Sequence, residues 1–77
     1  MTDVEITYCV PCGFLPRAEE LQHAICTSFE GHLDSLTLRM GDHGVLRVTV
    51  DDTVVFDKAD DDYDVDAIVR ECRNHVR

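Results

Sequence analysis

Val4-Glu5-Ile6-Thr7-Tyr8-Cys9-Val10-Pro11-Cys12-Gly13-Phe14-Leu15-Pro16-Arg17-Ala18 is the stretch on which the fold turns. Val4, Ile6 and Tyr8 point one way and Glu5 and Thr7 the other, the period-two alternation of a half-buried strand. A loop from Cys9 to Leu15 follows. Pro16 then suits the first turn of a helix, where a missing N–H costs nothing. Two cysteines at Cys-x-x-Cys spacing thus stand between a strand and a helix, a junction that can hold two sulfurs ready to form and break a disulfide.

Downstream, Ala18, Leu21, Ile25 and Phe29 recur at helical spacing, with Glu19, Glu20 and Gln22 on other faces. This predicts a helix from Pro16 to about Glu30, ended by Gly31 as a C-terminal cap. Leu36, Leu38 and Met40 alternate with Thr37 and Arg39, a second strand over 34–40. Gly41-Asp42-His43-Gly44 has the composition of a turn. Val45–Val50 and Thr53–Phe56 read as two further strands, joined through Asp51-Asp52 in a tight hairpin whose turn type the residues leave open. After an acidic loop over 57–64, Val65, Ile68, Val69, Cys72 and Val76 give a last helix its apolar face, with Asp62 or Asp64 as its cap. Arg70, Arg73 and Arg77 lie toward its C-terminal end, where positive charge suits the helix dipole.

The order is β-α-β-β-β-α. A helix between strands one and two makes them parallel, with a right-handed crossover. Strands three and four form an antiparallel hairpin. The expectation is an α/β chain of the α+β kind. It is a four-stranded mixed sheet with two helices in the minimal thioredoxin-like arrangement, Cys9 ending the first strand. Residues 1–77 read as one domain with no repeat and no linker. A chain this short buries only about 60% of its unfolded surface and has no room for a large substrate chamber.

Sixteen acidic residues face seven basic ones, for a net charge of −9. Phosphate backbones are repelled by such a surface, so no nucleic-acid partner is expected. No apolar run nears the ~20 residues of a membrane span, and Asp3 and Glu5 stand where a signal peptide carries basic residues. The reading is a soluble, cytoplasmic protein. Eleven of the sixteen acids are Asp, and Lys58 is the one lysine against six arginines. That bias resembles proteins of salt-loving archaea, where it serves solubility.

A cytoplasmic location argues against a disulfide framework and makes Cys9 and Cys12 redox-active or metal-binding. Zinc needs four ligands, and one Cys-x-x-Cys supplies two. Cys26, Cys72, His23, His32, His43 and His75 form no second Cys-x-x-Cys and no His-x-x-x-His unit. No metal or other cofactor is therefore assigned, and no histidine receives a role. Cys72, on an apolar helix face, behaves as a small hydrophobe, and Cys26 lies partly buried beside the first helix's apolar face. Asp60-Asp61-Asp62-Tyr63-Asp64-Val65-Asp66, with Glu71 beyond, mimics a calcium loop poorly, because Val65 stands where the sharp turn needs Gly.

The segment Tyr8 to Ala18 resembles the active-site region of the selenoprotein W-like (Rdx) proteins. Gly41 to Lys58, a glycine-bounded turn followed by Val-rich strands and Val55-Phe56-Asp57-Lys58, fits the same pattern, as does the last helix. The resemblance implies a thioredoxin-like fold and thiol oxidoreductase activity, with Cys12 at the position that selenocysteine occupies in selenium-containing relatives. True thioredoxins also set a cis-proline beside the dithiol. Here the prolines are Pro11 and Pro16 alone, so a thioredoxin-type peptide groove does not carry over.

Two functions fit. One is a thiol–disulfide oxidoreductase with Cys9 and Cys12 as its catalytic pair, maintaining cell redox balance. Its partner would be a disulfide-containing protein or a small-molecule thiol. The other is a non-enzymatic module whose dithiol senses redox state or docks a partner. Backbone N–H groups at the start of the first helix, and Arg17 within its first turn, favour a thiolate at Cys12 over one at Cys9.

Overall fold

The computed structural model describes residues 2–76. Its elements are β1 (Asp3–Cys9), α1 (Leu15–Ser28), β2 (Ser35–Gly41), β3 (Leu46–Val50), β4 (Thr53–Asp57) and α2 (Val65–Arg73). The sheet runs β2-β1-β3-β4. β1 pairs parallel with β2 and antiparallel with β3, and β3 pairs antiparallel with β4. The mixed four-stranded sheet with two helices matches the order read from the sequence. Among the described residues, no helix is long and apolar enough to cross a membrane.

β1 is an inner strand, and its alternation decides what the core contains. Val4, Ile6 and Tyr8 pack with Leu46, Val48 and Val50 of β3 under the apolar stripe of α1, Ala18, Leu21, Ile25 and Phe29. α2 adds Ile68 and Cys72, and β4 adds Phe56. The opposite sheet face carries ion pairs instead, Arg39 with Glu5 at 3.5 Å and Arg47 with Asp57 at 3.2 Å. The first pair is exposed and the second partly so, and each contributes at most ~1 kcal/mol.

The hairpin turn left open by the sequence is resolved. Asp51 and Asp52 have φ of 48° and 71°, both in the left-handed region that the favoured two-residue hairpin turn requires. Asp51 offsets part of that strain: its carboxylate accepts from the Asp3 N–H at 2.8 Å, and its own N–H donates to the Asp3 carbonyl at 2.9 Å. Asp34 grips the same end of β1 from the other side. Its carboxylate accepts from the Thr2 N–H at 2.8 Å, and its N–H donates to the Thr2 carbonyl at 2.8 Å. The start of β1 is thus pinned by an aspartate on each flank.

A few boundaries differ from the sequence reading. α1 ends at Ser28 with Phe29 as its cap, and Gly31, at φ 86°, lies in the following turn. Burying Phe29 draws the chain down onto the core before the glycine is reached. Gly41 is the last residue of β2 rather than the first of the turn, because it pairs with Cys9 across the parallel ladder. Of the two candidate caps for α2, Asp64 is the one used, its side chain accepting from the Ala67 N–H. Arg70 and Arg73 sit in the last turn of α2 as expected, and Arg77 lies outside the described residues.

Candidate functional site: a dithiol between strand and helix

Cys9 ends β1, where the strand is held on both sides. Its N–H donates to the Val45 carbonyl at 2.8 Å, and its carbonyl accepts from the Phe14 N–H at 3.3 Å. The next residue keeps the strand's direction, the Val10 N–H donating to the Gly41 carbonyl at 3.1 Å. Gly41 is required there by close approach: a Cβ would stand 2.9 Å from Val45 Cγ1 and 3.2 Å from Thr7 Cγ2.

The chain then reverses over Val10-Pro11-Cys12-Gly13, with the Gly13 N–H closing onto the Val10 carbonyl at 3.1 Å. Pro11 takes the second position of this turn, where its fixed φ fits, and Gly13, at φ 73°, turns the chain into the helix. No side chain caps α1, and Pro16 stands in its first turn. The turn brings the sulfurs together: Cys9 and Cys12 form a disulfide, with Cα atoms 5.4 Å apart. Cys9 is fully buried, and Cys12 is exposed. Cys26 and Cys72 are free, the first half-buried and the second buried. Desolvation, and then the nearby Glu71 carboxylate, push the Cys72 thiol up to about 11, which keeps it protonated and inert.

Positive charge gathers on an aromatic platform at Phe14, two residues past Cys12. The Arg17 guanidinium lies 5.1 Å from the centroid of Phe14 and 5.5 Å from that of Tyr63. Lys58 Nζ lies 5.6 Å from the same Phe14 ring. Tyr63 is itself fixed. Its hydroxyl donates to Glu20 Oε1 at 2.6 Å, and its ring meets Phe56 edge-on, centroids 6.4 Å apart. Burial and the Glu20 carboxylate both hold the Tyr63 hydroxyl protonated well above the usual tyrosine range. Arg17 was legible in the sequence as a cation in the first helical turn. Phe14 stands in the motif stretch but received no role there, and Lys58 and Tyr63 join the site through the fold, which no spacing signals.

Exposed apolar side chains lie near the same end of the sheet. Val10 lies between the two cysteines, Leu15 three residues past Cys12, and Met40, next to Gly41 in β2, is 75% exposed. Among the described residues, no group of three or more His, Cys, Asp and Glu is placed to hold a metal ion.

Comparison with known proteins adds the family. The Rdx family model matches residues 3–74. The chain belongs to the Rdx family. Solved structures similar to this Rdx chain include a Bordetella parapertussis protein, 22% identical, at a TM-score of 0.91. That match covers 97% of this chain and 98% of the other. Another is a selenoprotein W-related protein from Vibrio cholerae, 15% identical, at a TM-score of 0.86, covering 95% and 94% of the two chains. At these identities the likeness speaks for the fold, which is thioredoxin-like. No curated protein matches the sequence. Family membership and the Cys9–Cys12 disulfide together support a redox role for this Rdx chain.

Proposed function

We propose that this Rdx protein is a thiol–disulfide oxidoreductase in which Cys12 attacks and Cys9 resolves. The observation that carries the assignment is the burial contrast within one disulfide, with Cys9 fully buried and Cys12 exposed. A disulfide sulfur must be approached in line by the attacking thiolate, which only the outer cysteine permits. Arg17 and the start of α1 supply local positive potential to the outer thiolate.

The cycle balances in two exchanges. The Cys12 thiolate bonds to one sulfur of a substrate disulfide, the substrate S–S bond breaks, and one substrate thiolate leaves. The Cys9 thiolate then bonds to the Cys12 sulfur and releases the second substrate thiolate. The substrate gains two electrons, and the protein is left as the Cys9–Cys12 disulfide. A thiol or dithiol reductant restores it. The partner is a disulfide-containing protein or a small-molecule thiol in its oxidised form. The excess of Asp over Glu and of Arg over Lys supports work in the salt-rich cytoplasm of a halophilic archaeon.

Turnover tests the reading. Protein cycled with a dithiol reductant should reduce a model disulfide catalytically, and Cys9→Ser should stall as a mixed disulfide on Cys12. Reversible disulfide formation without turnover would instead favour a redox-sensing or partner-docking module.

A further inference from the structure

The charge distribution around the dithiol speaks to the kind of disulfide it accepts. Net charge is −9, so the molecule as a whole repels anions. Most described cations are accounted for elsewhere. Arg39 pairs with Glu5 and Arg47 with Asp57. Arg70 and Arg73 sit at the C-terminal end of α2, where the helix dipole favours them. Arg17 and Lys58 differ. Among the described residues neither forms an ion pair with a carboxylate, and both are held over the Phe14 ring, two residues past Cys12.

An aromatic ring holds a cation without cancelling its charge. Such a contact contributes about 0.5–1 kcal/mol at an exposed site, enough to orient a side chain. The N–H donors of Arg17 and Lys58 thus remain available to a ligand. Neighbouring carboxylates are engaged: Glu20 accepts from the Tyr63 hydroxyl at 2.6 Å, and Asp57, next to Lys58, accepts from Arg47 and the Ala59 N–H. Acids farther off than a screening length, about 8 Å at physiological ionic strength, weigh little.

We propose that Arg17 and Lys58, carried on Phe14 two residues past the exposed Cys12, form an anion-receiving rim that selects disulfides bearing carboxylates near the sulfur. The inference rests on the oxidoreductase reading and names its substrate class. As Cys12 bonds to the substrate sulfur, the departing group is a thiolate that also carries a carboxylate. The two cations meet that charge as it develops, and Cys9 then displaces the second carboxylate-bearing thiolate. A dithiol reductant supplies the two electrons for the next round.

The test uses three disulfides of similar size and different charge: 3,3′-dithiodipropionate, bis(2-hydroxyethyl) disulfide and cystamine. Pre-reduced protein, freed of reductant, is mixed with each, and the rate of Cys9–Cys12 oxidation is followed by quenching and mass analysis. At low ionic strength the anionic probe should outrun the cationic one by about tenfold, the effect expected of two nearby, partly screened charges. Arg17→Gln combined with Lys58→Gln should bring the ratio close to one, and Lys58→Arg should keep it. The ratio within one variant cancels any effect of the substitutions on Cys12 itself. In molar potassium chloride, where the screening length falls to about 3 Å, the preference should shrink. Equal rates, or a preference for cystamine, in the unmodified protein would overturn the inference while leaving the oxidoreductase reading intact. Failure of all three disulfides to oxidise the pair would sink both. If the double variant does not fold, Lys58→Gln alone should still lower the ratio, and an unchanged ratio there also counts against the rim.

Discussion

Cys9 and Cys12 share one disulfide and sit in opposite surroundings, the first fully buried at the end of β1 and the second exposed on a proline turn. Reactivity should divide along the same line. With each cysteine retained alone, the Cys9→Ser variant, which keeps Cys12, should be alkylated at neutral pH at least about tenfold faster than Cys12→Ser, which keeps Cys9. Iodoacetamide modification against pH measures this. Faster reaction of the variant keeping Cys9 reverses the roles.

Much of this arrangement was legible because it is local. Val4, Ile6 and Tyr8 alternate, Ala18, Leu21, Ile25 and Phe29 keep helical spacing, and each set reaches the core. The order of elements followed from those periods, and the dithiol from its place between two of them. What escaped is non-local. Val54 and Phe56 share a parity in the sequence, yet Phe56 is buried and Val54 is 53% exposed. The ladder shifts between Val48 and Thr49, which pair with Phe56 and Val54 and leave Val55 as an extra residue that turns Val54 to the open face. Lys58 reaches Phe14 only once β4 has paired with β3.

The capping of α2 gives a stability test. Asp64 accepts from the Ala67 N–H at 3.3 Å, while Asp62 is exposed and caps nothing. Asp64→Ala should cost about 1 kcal/mol, which for a domain of this size lowers Tm by roughly 4–8 °C. Asp64→Asn, which keeps an acceptor and removes the charge, should retain most of that stability. Thermal melts of these two variants and Asp62→Ala decide the matter. Equal losses for Asp62→Ala and Asp64→Ala would contradict the assignment.

Cys72 predicts a loss of stability in alkali. Its thiol is raised from 9.0 to about 11 in the folded protein, so between those values the unfolded chain ionises while the folded one stays protonated. The unfolded state then binds fewer protons, and stability falls as pH rises through this window. The benefit is fully present below pH 9 and gone above the folded value. The raised Tyr63 hydroxyl acts in the same direction at higher pH, so the comparison must isolate the thiol. Cys72→Ala should be less stable at pH 7 because it opens a small cavity, and its stability should fall less steeply from pH 9 to pH 11. Denaturant midpoints measured across that range test this, and parallel curves for the two proteins would refute it.

Salt should stabilise this protein through particular aspartates. Eight of the sixteen acids lie between Asp51 and Asp66, so self-repulsion is concentrated in one region. They are not equivalent. Asp57 accepts from the Ala59 N–H and lies beside Arg47, and these hold its carboxyl below the usual range. Asp51 and Asp64 accept from backbone N–H groups at Asp3 and Ala67. Asp60 and Asp62 are exposed, and among the described residues their carboxylates accept no hydrogen bond, so their charge adds repulsion without a compensating contact. Raising potassium chloride to molar levels cuts the screening length to about 3 Å and should raise Tm. The Asp60→Asn, Asp62→Asn double variant should start with a higher Tm at low salt and gain less from added salt. Asp57→Asn should do the opposite at low salt, because it weakens contacts that favour the charge. Calorimetry of the three proteins across the salt series is the measurement. A Tm that stays flat or falls with salt would sink the idea, as would a double variant that loses stability at low salt.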